Sequence, residues 1–263
     1  MTRPSRPQPP LEARADEVVK LMSPSTDEVR RSEVLTQAVL TAALALQQAQ
    51  DELCRLDSVA GDGDEGLGMA RAGRSIHQRL SKGAPLGVAQ ILDLVATEMS
   101  AVGGAMGALS YVIISSIADA LSTRNYELTA GSLAELLSAT EAAVSEFGGA
   151  KRGDKSILDA IAFARDAAVD AASQHATTKD ATLAVLAATR EGVAATADME
   201  ARVGRASRLG PRTRGSIDAG AQTFMIALAA LVDVYVSTSA GTHGNDNQRG
   251  RTGLESSYAS DTE

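Results

Sequence analysis

A chain of 263 residues suits one large domain or two small ones, and at this size roughly three quarters of the unfolded surface can be buried without staples. Its 33 acidic and 25 basic side chains give a formal charge of −8, which argues against a general nucleic-acid binder. The single cysteine, Cys54, rules out an intramolecular disulfide; a reducing compartment and a small, buried apolar role near a helix end are expected for it.

Residues 1–24 are rich in Pro and Arg, lack periodicity and have no apolar core of the kind a secretory signal needs, so a disordered tail is expected there. Ser25 and Glu28 then have the spacing of a capping box, and Val34, Leu35, Val39, Leu40, Ala43 and Leu44 recur at helical spacing, which predicts a helix to about Leu53. Further helices are predicted at about 66–81, 86–100, 104–121, 132–147 (opened by Ser132 and Glu135), 156–174, 181–198 and 219–238. Strand formers are scarce and the loops are short and marked by Gly, so the folded region, 25–239, reads as an all-α antiparallel eight-helix barrel or bundle. The many alanines let helix axes approach closely. The longest apolar stretch, "FMIALAALVDVYV", is broken by Asp233 and too short by this count to cross a bilayer, so a soluble cytoplasmic protein is expected. Residues 240–263 are rich in Gly, Asn and Ser and read as a second disordered tail.

Four segments carry chemistry. In "LDSVAGDGDEGLGM" (56–69), Asp57, Asp62, Asp64 and Glu65 crowd together with glycines between them. Two carboxylates about 5 Å apart repel by roughly 3 kcal/mol at an effective dielectric near 20, so a positive partner is needed. Oxygen ligands on a flexible loop suit Mg²⁺ or Ca²⁺ rather than zinc. An EF-hand fails, since Leu67 and Gly73 stand where Gly and Glu are required. The alternative is a solvated turn whose charges point apart. "VGGAMGALS" (102–110) places glycines just before a helix, where free N–H groups and the helix dipole suit phosphate, or simply allow close helix packing. "GAKRGDKSILDA" (149–160) lacks the adjacent Gly-Lys-Ser and the preceding strand of a P-loop; Ser156, and less clearly Asp154, read as caps. "ARVGRASRLGPRTRGSIDAGA" (201–221) holds Arg202, Arg205, Arg208, Arg212 and Arg214, suited to phosphate oxygens or to an acidic partner. His77, His175 and His243 have no metal-ligand spacing. Together the segments offer cation ligands, a phosphate cradle and counter-charge, the parts that phosphoryl transfer needs.

At these segments, "LDSVAGDGDEG", "GGAMGAL", "GDKSILDA" and "GRASRLGPRTRGSIDAGA", the sequence resembles the L-type nucleotide-binding unit of the dihydroxyacetone kinase family over about residues 30–238. The resemblance implies an eight-helix barrel with ATP or ADP and two Mg²⁺ ions at one end. Asp57, Asp62 and Asp64 match its metal-binding aspartates. Glu65, Gly66, Leu67, Gly68, Ala105, Met106, Gly153, Arg205, Asp218, Ala219 and Gly220 fall where it contacts nucleotide, with Arg212 in support. It further implies phosphate donation to a short-chain ketose held on a separate K-type subunit, and leaves open a phosphotransferase-system phosphoprotein as donor and self-association. No nucleic-acid or membrane partner is implied. Three positions depart from the pattern: Glu65 stands where His is common, Met106 where Ser is usual, and Ala219 where Pro is usual. These departures keep a second reading open, a non-catalytic Mg-nucleotide-binding regulatory module; a helical scaffold with merely solvated loops is a third.

Overall fold

The computed structural model describes residues 25–122 and 126–249, with side chains up to residue 239. The tail expected over 1–24 and residues 250–263 lie outside the described residues. The described residues contain no strand, and their α-helices run in order as α1 (Thr26–Gln48), α2 (Gln50–Asp57), α3 (Glu65–Lys82), α4 (Val88–Ser100), α5 (Gly104–Ser122), α6 (Ala130–Gly148), α7 (Ile157–Ser173), α8 (Thr178–Ala195) and α9 (Ala219–Arg249). Two 3-10 segments, Thr196–Asp198 and Arg205–Thr213, join α8 to α9.

The helix starts are where the polar residues place them. Ser25 Oγ accepts from Glu28 N at 3.2 Å, capping α1 as expected. Ser156 caps α7, and Asp159 reaches back to Ser156 N at 2.8 Å. The start expected at Ser132 lies earlier: Thr129 is the cap of α6, and Ser132 is the reciprocating third residue, its Oγ accepting from Thr129 N at 2.8 Å. α8 likewise opens earlier than expected, capped by Thr177. Asp154 is not a cap; its carboxylate accepts from Lys151 N at 2.7 Å and closes the turn before α7.

One predicted helix is two. The helix is interrupted by a corner at Ala49, where ψ is 4° instead of a helical value, and α2 follows it. Gly66 on α3 packs so tightly against this corner that a Cβ there would lie 1.9 Å from the Gln50 carbonyl oxygen. At the other end, α9 continues to Arg249, beyond the expected boundary near 238 and into the residues expected to open the C-terminal tail; extending an existing helix needs no new nucleus.

Packing closes a ring. α1 contacts α3 and α9; from there the neighbours run α4, α5, α6, α7 and α8, and α8 returns to α9. This is the expected antiparallel barrel, with α1 and α2 together taking the place of one interrupted helix. One core lies among α1–α5, where Leu53, Met69 and Ile91 are fully buried; truncating one such side chain to Ala costs about 2–5 kcal/mol. A second, built on Ala164, Ala168, Ala181 and Val185, lets α7 and α8 approach closely. Cys54 is only half-buried on α2, in contrast to the buried role expected. In contrast to the expectation from length, two helices reach the span of a bilayer. Gly104–Ser122 and Ala219–Ser239, with mean hydropathies of 1.5 and 1.6, are each long and apolar enough to cross a membrane by length and composition. In the fold both are staves of the ring: α5 lies between α4 and α6, and α9 between α8 and α1.

Candidate functional site

At one end of the barrel four connections meet around a cleft of about 500 Å³. The α2–α3 loop brings acids, the start of α5 brings glycine backbone, the α6–α7 loop brings Lys155 and Ser156, and the α8–α9 connection brings Arg205 and Asp218.

The acidic loop is organised by Asp57. Its Oδ2 accepts from Gly63 N at 2.8 Å and Asp64 N at 3.1 Å, folding the loop back over the end of α2. Gly63 takes a left-handed φ of 76° at that turn. Gly61 leaves room for the same carboxylate, since a Cβ there would sit 2.0 Å from Asp57 Oδ1. The result is convergence: one carboxylate oxygen from each of Asp57, Asp62 and Asp64 lies within 4.8 Å of the others. The charges therefore do not point apart, although Asp62 and Asp64 stay exposed. Arg205 crosses from the far side of the cleft to bond Asp62 and holds its carboxyl down at about 2. Asp64 is pushed the other way, first by sharing a hydrogen bond with Asp62 and then by burial. Three carboxylates against one guanidinium leave the loop short of positive charge, and an all-oxygen donor set of this kind fits a hard divalent cation.

Glu65 stands apart from that triad. Its Oε1 accepts from Thr223 Oγ1 at 2.6 Å, linking the first turn of α3 to α9. Burial raises its carboxyl to about 7, against the pull of that hydrogen bond. Asp218, at the start of α9, accepts from Ala221 N at 2.8 Å, and burial raises it to about 6. Facing them, the first N–H groups of α5 lack helical partners by position, and the helix dipole favours an anion there. A Cβ added to Gly104 would lie 4.0 Å from Arg205 Nη2, so the guanidinium spans the cleft from the acids to this helix start.

Of the residues predicted for the site, Asp57, Asp62, Asp64, Glu65, Ala105, Met106, Arg205, Asp218, Ala219 and Gly220 line this one cleft. Gly66, Leu67, Gly68 and Gly153 do not. Gly66 and Gly68 are buried in helix packing, the latter against Val102, while Leu67 is exposed. Gly153 N donates to Asp159 Oδ1 at 2.5 Å, shaping the loop behind the cleft. Met106, where a hydroxyl was expected, lies over the start of α9 beside Gly220. Phe147 and Lys155 are among the lining residues that carried no expectation. Phe147, 57 % exposed at the end of α6, was signalled only by an aromatic beside a Gly-Gly pair. Lys155 was hidden by its setting, a lysine before a helix cap, which ordinarily reads as solvated.

Residues 59–233 match the DAK2 domain family. The chain belongs to that family. The ADP-binding subunit DhaL of the PTS-dependent dihydroxyacetone kinase of Lactococcus lactis is 33% identical over 195 residues, covering 72% of this chain and 90% of that one. A D-erythrulose kinase of Mycolicibacterium smegmatis is 30% identical over 204 residues, covering 76% of this chain and 35% of the kinase. The dihydroxyacetone kinase of C. freundii in complex with AMP-PNP and Mg²⁺ superposes on this DAK2 domain with a TM-score of 0.58 at 23% identity, over 80% of this chain and 34% of that one, and shares its fold. The chain thus spans about a third of the erythrulose kinases it matches and nearly all of a DhaL subunit.

Proposed function

We propose that this DAK2 domain is the nucleotide-binding, phosphoryl-transfer subunit of a dihydroxyacetone-type kinase. In this reading it donates phosphate from Mg-ATP to a short-chain ketose held on a separate K-type subunit, in the cytoplasm. The observation that carries the reading is the convergence of Asp57, Asp62 and Asp64 opposite a glycine-led helix start, with Arg205 between them.

Asp57, Asp62 and Asp64 would hold two Mg²⁺ ions. When bound, these supply charge neutralisation at the phosphate oxygens, on which phosphoryl transfer chiefly depends. The chain's own groups do the rest. N–H groups around Ala105 and Met106 donate to phosphate, the backbone replacing the hydroxyl that Met106 lacks. Arg205, now paired with Asp62 beside the helix start, would be the group to bond a phosphate oxygen. Asp218, Ala219 and Gly220 bound the opposite wall, and Leu109, Val144 and Phe147 give an apolar flank suited to a purine base. Glu65, at the cleft wall and tied to Thr223, braces the loop against α9 instead of adding a ligand. Gly66, Leu67, Gly68 and Gly153 shape the site from outside its lining.

The relatives support this reading. The Lactococcus protein is an ADP-binding subunit of a PTS-dependent kinase, so a phosphotransferase-system phosphoprotein that recharges bound ADP is the alternative donor. The test combines the purified chain with a K-type subunit, dihydroxyacetone and either donor, and follows ketose phosphate. Turnover that disappears with Asp62→Asn supports the proposal; no turnover by the unmutated chain with either donor contradicts it. A second reading, a regulatory Mg-nucleotide sensor, is favoured by Met106 and Glu65, and turnover in the same mixture would eliminate it.

A further inference from the structure

Lys155 is a cleft-lining residue that the proposed chemistry leaves without a task. It is 5% exposed, and lysine is almost never so buried without a partner. Its backbone takes a left-handed φ of 59°, a region that non-glycine residues adopt rarely and hold only when their surroundings enforce it. The enforcing contacts are specific. Lys155 Nζ donates to the carbonyl oxygen of Thr196 at 2.5 Å and to that of Ser216. Those carbonyls belong to the short 3-10 turn after α8 and to the strand of loop that enters α9.

The two carbonyl-bearing segments are already paired to each other. Gly215 N donates to Ala197 O at 2.8 Å, and Asp218 N to Thr196 Oγ1 at 2.9 Å. Neither bond reaches the α6–α7 loop. On that loop, Asp154 O accepts from Arg202 N at 3.0 Å and Ser156 caps α7, so the residues on both sides of Lys155 are also anchored. The lysine is the one side chain among these that joins all three segments, and two residues past its Ser216 contact the wall Asp218–Gly220 begins.

From this geometry we infer that Lys155 is a positioning residue: its ammonium acts as a built-in cation that ties the α6–α7 loop to both ends of the α8–α9 connection and sets the Asp218–Gly220 wall of the cleft. Two of its three N–H donors are held by backbone carbonyls, which fixes the ammonium to the loops instead of leaving it free to follow a ligand. The inference rests on the nucleotide-site reading for its consequence, but the strap itself can be read without nucleotide.

The experiment uses the full chain and the variants Lys155→Met and Lys155→Ala. Hydrogen exchange without ligand reads the strap. Amides of 196–199 and 215–221 should exchange faster in Lys155→Met, while those of the acidic loop, 57–65, keep their unmutated rates. Calorimetry with Mg·ADP should show a loss of about tenfold or more, the scale on which supporting groups weaken a site. Binding of Mn²⁺ alone at the acidic loop, followed by its paramagnetic resonance signal, should be unchanged. Lys155→Ala should recover Mg·ADP affinity and slow exchange in ammonium chloride but not in tetramethylammonium chloride, because only the small cation fits between the two carbonyls. A general loss of folding would also be partly reversed by ammonium if the inference holds. Unchanged exchange at 215–221 in Lys155→Met overturns it, as does equal loss across all segments with no ammonium rescue. If the unmutated chain binds no Mg·ADP, the functional reading fails while the exchange result still decides the strap.

Discussion

Two charged clusters in this molecule are built from the same side-chain types and resolve their charge in opposite ways. Between α6 and α7, Arg152 bonds Glu141 through Nε at 2.6 Å and Asp166 through Nη1 at 2.6 Å, while Arg165 bonds Glu141 at 2.9 Å and Asp166 at 2.9 Å. Two cations meet two anions, and Arg152 holds both carboxyls below their usual range. At the cleft, three aspartates meet one arginine, and one of them, Asp64, is raised instead. The first cluster closes its account within the chain and serves the fold. The second is left short of positive charge, which is what the proposed Mg²⁺ would supply.

The largest effect expected from breaking this contrast is at Asp64. Asp64→Asn removes a negative charge from a crowded set, so the metal-free protein should melt no earlier than the unmutated one. Its Mg-dependent ADP affinity should nevertheless fall about 100-fold or more, beyond the 10–100-fold typical of groups that only support a metal site. Scanning calorimetry and isothermal titration together read the two opposite signs.

The balanced cluster should behave in reverse. Glu141→Gln leaves Arg152 and Arg165 with weaker partners and should cost about 1–2 kcal/mol, since charged hydrogen bonds in a partly exposed network contribute on that scale. For a chain of this size that lowers the melting temperature by roughly 3–6 °C, with Mg·ADP affinity unchanged.

A smaller effect is in pH. Glu141 and Asp166 have folded values below their unfolded ones, so the stability they contribute is fully present above the unfolded carboxylate range. It is lost as pH falls through their depressed folded values. Melting temperature against pH should therefore fall less steeply on the acid side in Glu141→Gln than in the unmutated chain, with the curves converging at low pH.

Much of this was legible in the sequence because it is local. Ser25, Ser156 and the apolar spacing of α1 announce their helices without help from distant residues. The glycines and aspartates of 57–64 announce a loop that cannot be ordinary. What was not legible depends on distance in the chain. Ala49 is a strong helix former, and nothing beside it forecasts a break; the corner forms where Gly66 packs on it. Thr129, not Ser132, opens α6 because both residues can cap and their mutual bonds settle the register. Glu65 stands in the same crowded run as the three aspartates, and its partner Thr223 lies on the last helix. Lys155 bonds carbonyls 41 and 61 residues away, from a backbone conformation that lysine disfavours. No spacing rule exposes such contacts; the tertiary fold imposes them.

The central claim is that the acidic loop is completed by divalent metal together with nucleotide phosphate. Titration calorimetry of the unmutated chain with ADP, in Mg²⁺ and then in excess chelator, tests it most directly. The account predicts one nucleotide bound per chain in Mg²⁺ and no measurable heat of binding in chelator. Equal affinity in the two conditions, or no binding in either, would contradict it.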